Sequence, residues 1–207
     1  LFAQVTNPPI DSLREKIVTD TTVLVGSDGD LLKADRNNCR VLEINNPILT
    51  GVDLLKIANL NQPGLKAKKI SLLIKRIEEP ATGKVLEKAL DNLFEQIDLA
   101  YNDGYNIIIL SDRGVDKDNA AIPSLLAVSS VEQYLIRTKK RTKISIILES
   151  AEVRDVHQAA MCLAYGARAI NPYLAHEAIT ELIDQKLLDK DYHTAINDYN
   201  KGVINGI

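Results

Sequence analysis

The stretch Lys143–Ile179, KISIILESAEVRDVHQAAMCLAYGARAINPYLAHEAI, decides how this chain folds. Ile144, Ile146, Ile147 and Leu148 make an apolar run of strand length that ends on Glu149-Ser150. Such a run marks a strand buried on both faces. Val153, Val156, Ala160, Leu163 and Ala164 then recur at helical spacing and predict one buried stripe. Gly166 ends that helix at a place where a positive φ is expected. A second apolar run, Ala167–Ile170, closes on Asn171-Pro172. The stretch is one β-α-β unit.

The same alternation recurs on both sides of it. Strands are expected at Ile70–Ile74, ending near Lys75-Arg76, and at Asn106–Leu110, ending on Ser111-Asp112-Arg113. Helices are expected over Lys84–Asn102, burying Leu86, Leu90, Leu93, Ile97 and Leu99, and over Ala121–Arg137, with Pro123 in the first turn. Further helices are expected at Ala175–Ile183 and Tyr192–Val203. Consecutive strand–helix pairs imply parallel strands joined by right-handed crossovers. Periodicity alone fits either an open doubly wound sheet or half of a (β/α)8 barrel.

This parallel β/α part occupies residues 67–207. Residues 1–66 read as an irregular, loop-rich arm that packs on neighbours outside the chain. Pro8-Pro9 holds its start extended, and Asp11 or Ser12 can cap a short helix through Leu13, Ile17 and Val18. Residues 26–38 are polar and turn-rich. Val41–Ile44 reads as a short strand, and Val52–Leu60 as a short helix stopped near Pro63-Gly64. The chain opens in mid-pattern at Leu1, as an internal fragment of a longer polypeptide would.

Composition narrows the function classes. A net charge of -3 over 207 residues gives no broad attraction to nucleic acid or anionic membrane. No apolar run approaches the ~20 residues of a membrane helix. Cys39 and Cys162 are too few for an iron–sulfur cluster, and His157, His176 and His193 have no metal-ligand spacing with them. G-x-G-x-x-G, P-loop and G-x-S-x-G signatures are absent.

Parallel α/β folds bind ligands beyond the carboxyl ends of their strands. Those ends carry Arg76, Ser111, Asp112, Arg113, Glu149, Ser150 and Asn171. One reading is a pocket for an anion or polar substrate, with Glu149 or Asp112 as base. The other is a closed ion-pair network, Asp112 with Arg76 or Glu149 with Arg113. His157 reads as a partly buried helix-face residue, and Tyr173 as a loop plug. Glu152 suits the positive end of the helix that follows Glu149. Lys139-Lys140-Arg141 reads as solvated surface near a helix C-terminus.

Several motifs resemble one family. LFAQVTNPPID, NPIL (Asn46–Leu49), ILSDR (Ile109–Arg113), IPSLLAV (Ile122–Val128), ES-x-E-x-R-x-VH (Glu149–His157) and YGARAINPYLAHEAI (Tyr165–Ile179) closely resemble the central domain of the glutamate synthase large subunit, in order along nearly the whole chain. The match is weakest at residues 20–40 and 185–207.

The resemblance implies a domain of an enzyme that makes glutamate from glutamine and 2-oxoglutarate, with electrons from NADPH, NADH or ferredoxin. It implies two partner domains in the same polypeptide. One is a glutamine amidotransferase, and the other is an FMN-binding (β/α)8 domain with an iron–sulfur cluster, joined by an ammonia channel. The family's central domain resembles a rudimentary, incomplete version of that barrel and carries no assigned catalytic residue or cofactor ligand. The strand-end residues are then expected to be network or interface groups, with no catalytic, cofactor-binding or metal site in this chain. The expected location is the cytoplasm, or a plastid if the parent is a plant enzyme. The alternative is a free-standing α/β enzyme or anion-binding module built on Arg76, Asp112, Arg113 and Glu149.

Overall fold

A computed structural model describes residues 20–30, 32–33, 35–75 and 83–207. The expected helix through Leu13–Val18 and the candidate Arg76 lie outside the described residues. In chain order the elements are β1 (Val23–Gly26), β2 (Val41–Ile44), α1 (Gly51–Ala58), β3 (Asn61–Gln62), β4 (Leu65–Ser71), β5 (Leu73–Lys75) and α2 (Gly83–Asn102). There follow β6 (Ile107–Ser111), β7 (Asn119–Ala121), α3 (Ser124–Arg137), β8 (Ser145–Glu149), α4 (Val156–Ala164), β9 (Ala167–Asn171), α5 (Tyr173–Asp184) and α6 (Tyr192–Gly206).

The main sheet has five strands in the order β3-β4-β6-β8-β9. β4, β6, β8 and β9 are parallel, and β3 adds one short antiparallel edge. Strand order follows chain order, with one crossover helix between each parallel pair. The fold is therefore mixed α/β with alternating β-α units on a parallel sheet. Two small antiparallel pairs stand apart: β1 with β2, and β5 with β7.

Alternation along each strand splits its residues between two cores. Ile108, Leu110, Ile146 and Leu148 join Leu93 and Ile97 of α2, Val128, Val131 and Leu135 of α3, and Ala159 and Cys162 of α4. Ile107, Ile109, Ile147 and Ala169 face the other way, onto Leu54 and Ile57 of α1 and Val25 of β1. The three crossover helices thus share one face, where a doubly wound sheet would divide them. The opposite face is covered by the N-terminal arm, so the described arm finds its partner within the chain. Coverage on both sides is why these strands are apolar throughout.

Local chemistry fixes several boundaries. Thr50 and Asp53 form a capping box at α1: the Asp53 N–H donates to Thr50 Oγ1 (3.2 Å), and the Thr50 hydroxyl and N–H donate to Asp53 Oδ2. That helix ends at Asn59, earlier than expected, because Pro63-Gly64 serves instead as the β3–β4 hairpin turn. The expected strand at Ile70–Ile74 breaks at Leu72. Leu72 turns its N–H to Ser111 O (2.8 Å) and its carbonyl to Ile122 N–H (2.9 Å), and β5 leaves to pair with β7. Ala121 consequently belongs to β7, and α3 begins only at Ser124. In α4, Asp155 caps from 2.8 Å, which delays the start to Val156; Ala159 and Cys162 are buried there, and Ala164 is exposed. In α2, Leu99 is 64% exposed and Ala100 takes its expected place, three residues beyond Ile97. Gly166 has a φ of 126°, as the helix end requires. Among the described residues no helix is long and apolar enough to cross a membrane.

Candidate functional site

Ser71, Ser111, Glu149 and Asn171 are register partners across β4, β6, β8 and β9. They therefore stand at one height on the carboxyl edge of the sheet. Each lies two residues beyond a member of the row Lys69, Ile109, Ile147 and Ala169, so the polar row shares the face covered by the arm.

Glu149 is the centre of that row. Its side chain is 5% exposed. Oε2 accepts from the Ser111 hydroxyl at 2.5 Å and pairs with the Lys69 ammonium. Oε1 accepts from Arg113 Nε at 3.0 Å. Arg113 Nη1 donates to Glu177 of α5 at 2.8 Å, and its guanidinium lies 3.9 Å from the Tyr173 ring centre. Burial alone would raise the Glu149 pKa; Lys69, Ser111 and Arg113 outweigh it and hold the carboxylate below its ordinary value. Two cations and two carboxylates make this cluster neutral. Asn171 donates from Nδ2 to Leu49 O at 2.8 Å, tying the arm to β9, while its Oδ1 is buried without a partner among the described residues.

Asp112 follows Ser111 by one residue and so faces the helices. It is 2% exposed. Its carboxylate accepts from the Ser150 hydroxyl (2.9 Å) and the Ala151 N–H (2.9 and 3.0 Å), with Ser124 Oγ at 3.4 Å. Ser124 and Ser150 share a further hydrogen bond of 2.7 Å. Glu152 accepts from the Ser124 N–H at 2.7 Å. It therefore serves the N-terminus of α3, not the helix that follows it in sequence.

The structure thus divides the expected site into two groups, with Tyr173 touching both, its ring against Arg113 and its hydroxyl near Asp112. Ser111, Arg113, Glu149 and Asn171 gather on the arm face, while Asp112 and Ser150 meet on the helix face. His157 is exposed, contrary to expectation. Tyr173 is buried at the start of α5, where burial first and the nearby Asp112 carboxylate next push its hydroxyl pKa above the ordinary range. In the basic run after α3, Lys139 is exposed as expected, but Lys140 and Arg141 are half-buried and paired. Lys140 pairs with Asp98 at 2.6 Å, and Arg141 pairs with Glu132, because Lys139 at φ 60° turns the chain back over α3. Lys69 and Glu177 were missed. Lys69 stands two residues before Ser71, and Glu177 one helical turn beyond Tyr173; those spacings are the signals that place them.

Among the described residues no group of three or more His, Cys, Asp or Glu is placed to hold a metal ion. Cys39 is exposed and Cys162 is buried in α4, its thiol pushed up to about 11 by burial and then by Glu152. The pair does not fit an iron–sulfur cluster. The rim cations Lys69 and Arg113 are engaged by carboxylates, so they do not fit a flavin phosphate either.

A family model described as the glutamate synthase central domain matches residues 1–207. The chain is 41% identical over 207 residues to the glutamate synthase [NADPH] large chain of Bacillus subtilis, covering 100% of this chain and 13% of that protein. It is 36% identical over 211 residues to the glutamate synthase [NADH] of Schizosaccharomyces pombe, covering 100% and 10%. It is 39% identical over 178 residues to the chloroplastic ferredoxin-dependent glutamate synthase of Spinacia oleracea, covering 85% and 11%. Among solved structures, a mandelate oxidase mutant aligns over 79% of this chain and 62% of its own at 11% identity and a TM-score of 0.35, a likeness on which nothing below rests.

Proposed function

The chain belongs to the glutamate synthase central-domain family, and from that premise we propose that it is a non-catalytic connecting domain within a longer glutamate synthase polypeptide. In this reading it joins a glutamine amidotransferase domain to an FMN-binding synthase domain in glutamate formation from glutamine and 2-oxoglutarate. It also lines part of the path between them. FMN and the iron–sulfur cluster belong to the synthase domain. The run of β-α units, with its crossover helices on one face, is a rudimentary and incomplete (β/α)8 barrel. The parent acts in the cytoplasm, or in a plastid in plants.

The observation that carries the reading is the pairing at the carboxyl edge. At the place where a parallel α/β fold offers charge to a ligand, Lys69, Arg113, Glu149 and Asp112 are each engaged by the chain's own groups. The same pairing weighs against a free-standing anion-binding module, since the Arg113 fork is occupied by Glu149 and Glu177. The test is Glu149→Gln in the longer polypeptide. Glutamine hydrolysis and FMN content should stay as in the parent, with any loss falling on glutamate formed per glutamine hydrolysed. Selective loss of FMN would contradict the reading.

A further inference from the structure

β9 is the outer parallel strand, and the described residues cover only part of its free edge. Ile170 donates its N–H to Pro47 O (2.7 Å) and accepts from the Leu49 N–H (2.7 Å), in a parallel bridge with Ile48. Toward its amino end, Ala167 and Arg168 border an open cleft of about 1110 Å³. β1 borders the same cleft but pairs only with β2 among the described strands. Among the described residues two strand edges, one open and one partly bridged, therefore share one space, an arrangement that invites a further strand.

We propose that this cleft seats a short extended segment of the longer polypeptide, laid parallel to β9 along its open amino-terminal half. The proposal rests on the reading that the chain works inside a longer glutamate synthase. Three observations name the occupant. First, Ile204 of α6 and Ile207 just past its end line the cleft beside Ala167, at the end of the sheet where every parallel strand begins. Alternation with right-handed crossovers places a strand that follows α6 on this edge. Second, the relatives supply such polypeptide, since the match spans 13%, 10% and 11% of their lengths.

Third, the cleft's chemistry suits an extended apolar segment. Val23, Leu24, Leu163, Ile204 and Ile207 give it apolar walls. Arg168 falls outside the β8–β9 register, at its irregularity. It donates from Nη2 to Asp28 at 2.7 Å, while its Nε is buried with no partner among the described residues. Main-chain hydrogen bonds along β9 then hold the segment, and the leucine and isoleucine walls select its side chains.

The test places a thiol on the cleft wall. Leu24 is 46% exposed, so Leu24→Cys does not disturb a core. The variant is made in the longer polypeptide and in the 1–207 chain, and alkylation by iodoacetamide is read at that peptide by mass spectrometry. Labelling should be at least about ten-fold slower in the longer polypeptide, with slowed amide exchange over residues 167–169. Equal labelling and exchange in the two proteins overturns the proposal. Protection in the 1–207 chain that grows with its concentration also overturns it, since a second copy then fills the cleft. A longer polypeptide that makes glutamate from glutamine yet labels fast defeats this inference and leaves the proposed function standing. One that lacks that activity defeats the function on which the inference rests.

Discussion

The two faces of the parallel sheet carry neighbouring polar residues at the same edge and hold them by different means. On the helix face, Asp112 is enclosed and is satisfied by hydroxyl and amide donors. On the arm face, Glu149 is just as enclosed, but its partners Lys69 and Arg113 are 47% and 45% exposed. The first network is sealed by the fold. The second reaches water, and a neighbouring domain can touch it. A single residue step along β6 separates them, because a strand presents Ser111 and Asp112 to opposite sides.

The sharpest test compares one removal on each face. Asp112→Ala removes the acceptor of the Ala151 N–H and of the Ser124–Ser150 hydroxyl pair, which can then satisfy only one of its two O–H groups internally, and should cost about 3 kcal/mol. In a domain of this size that is a fall of roughly 6–12 °C in Tm. Glu149→Gln keeps the volume and lets two half-exposed cations return to water, so about 1 kcal/mol is expected. Calorimetry in low and high salt would show which loss is salt-sensitive; only the Glu149 contribution should shrink with salt. A larger loss for Glu149→Gln than for Asp112→Ala would break the comparison.

Gly166→Val probes the helix side independently. Its φ of 126° disfavours any L side chain, and a Cβ there would meet the Glu132 side chain at 2.8 Å while Glu132 holds Arg141. A loss of about 2–3 kcal/mol follows, and unchanged melting would refute the backbone strain assigned to that turn.

Acid titration sharpens the contrast further. The Glu149 pKa is depressed in the fold, so its stabilisation is present above the ordinary value of 4.5 and disappears as pH falls through the lower folded value. Wild type should therefore lose more stability than Glu149→Gln in that acid window. His176 titrates in a separate window. It is buried between α5 and α6, with Nε2 2.9 Å from Asn200 Oδ1. Burial lowers its pKa, and Asn200 only partly offsets that. Its neutral form stabilises the fold above 6.5, and the contribution drops as pH falls below that value. His176→Gln should flatten this slope, by at most about 1.4 kcal/mol per pH unit; an unaltered slope would place the titration elsewhere.

The parallel strands were legible because burial on both faces leaves each an unbroken apolar run, as in Ile144–Leu148. Residues whose placement depends on pairing were not. Lys69 sits among Lys66 and Lys68 and reads as a charged border. Only the register with Ile109 and Ile147 shows that its side chain shares a face with Glu149. Asp112 and Glu149 read as one cluster because both sit at strand ends, and only the alternation of the chain there sends them to opposite faces. β1 was passed over because its four residues precede a turn-rich run, although Val23 and Val25 alternate as a half-buried strand should. Leu99 misled by hydrophobicity alone, since the helical period selects Ala100.

Under the proposed function, the carboxyl edge binds the chain to itself and takes none of FMN, glutamine or 2-oxoglutarate. Calorimetric titration of the 1–207 chain with FMN, glutamine and 2-oxoglutarate tests it most directly. The expected result is no saturable heat with any of the three. Stoichiometric, tight binding of FMN, abolished by Arg113→Ala, would contradict it.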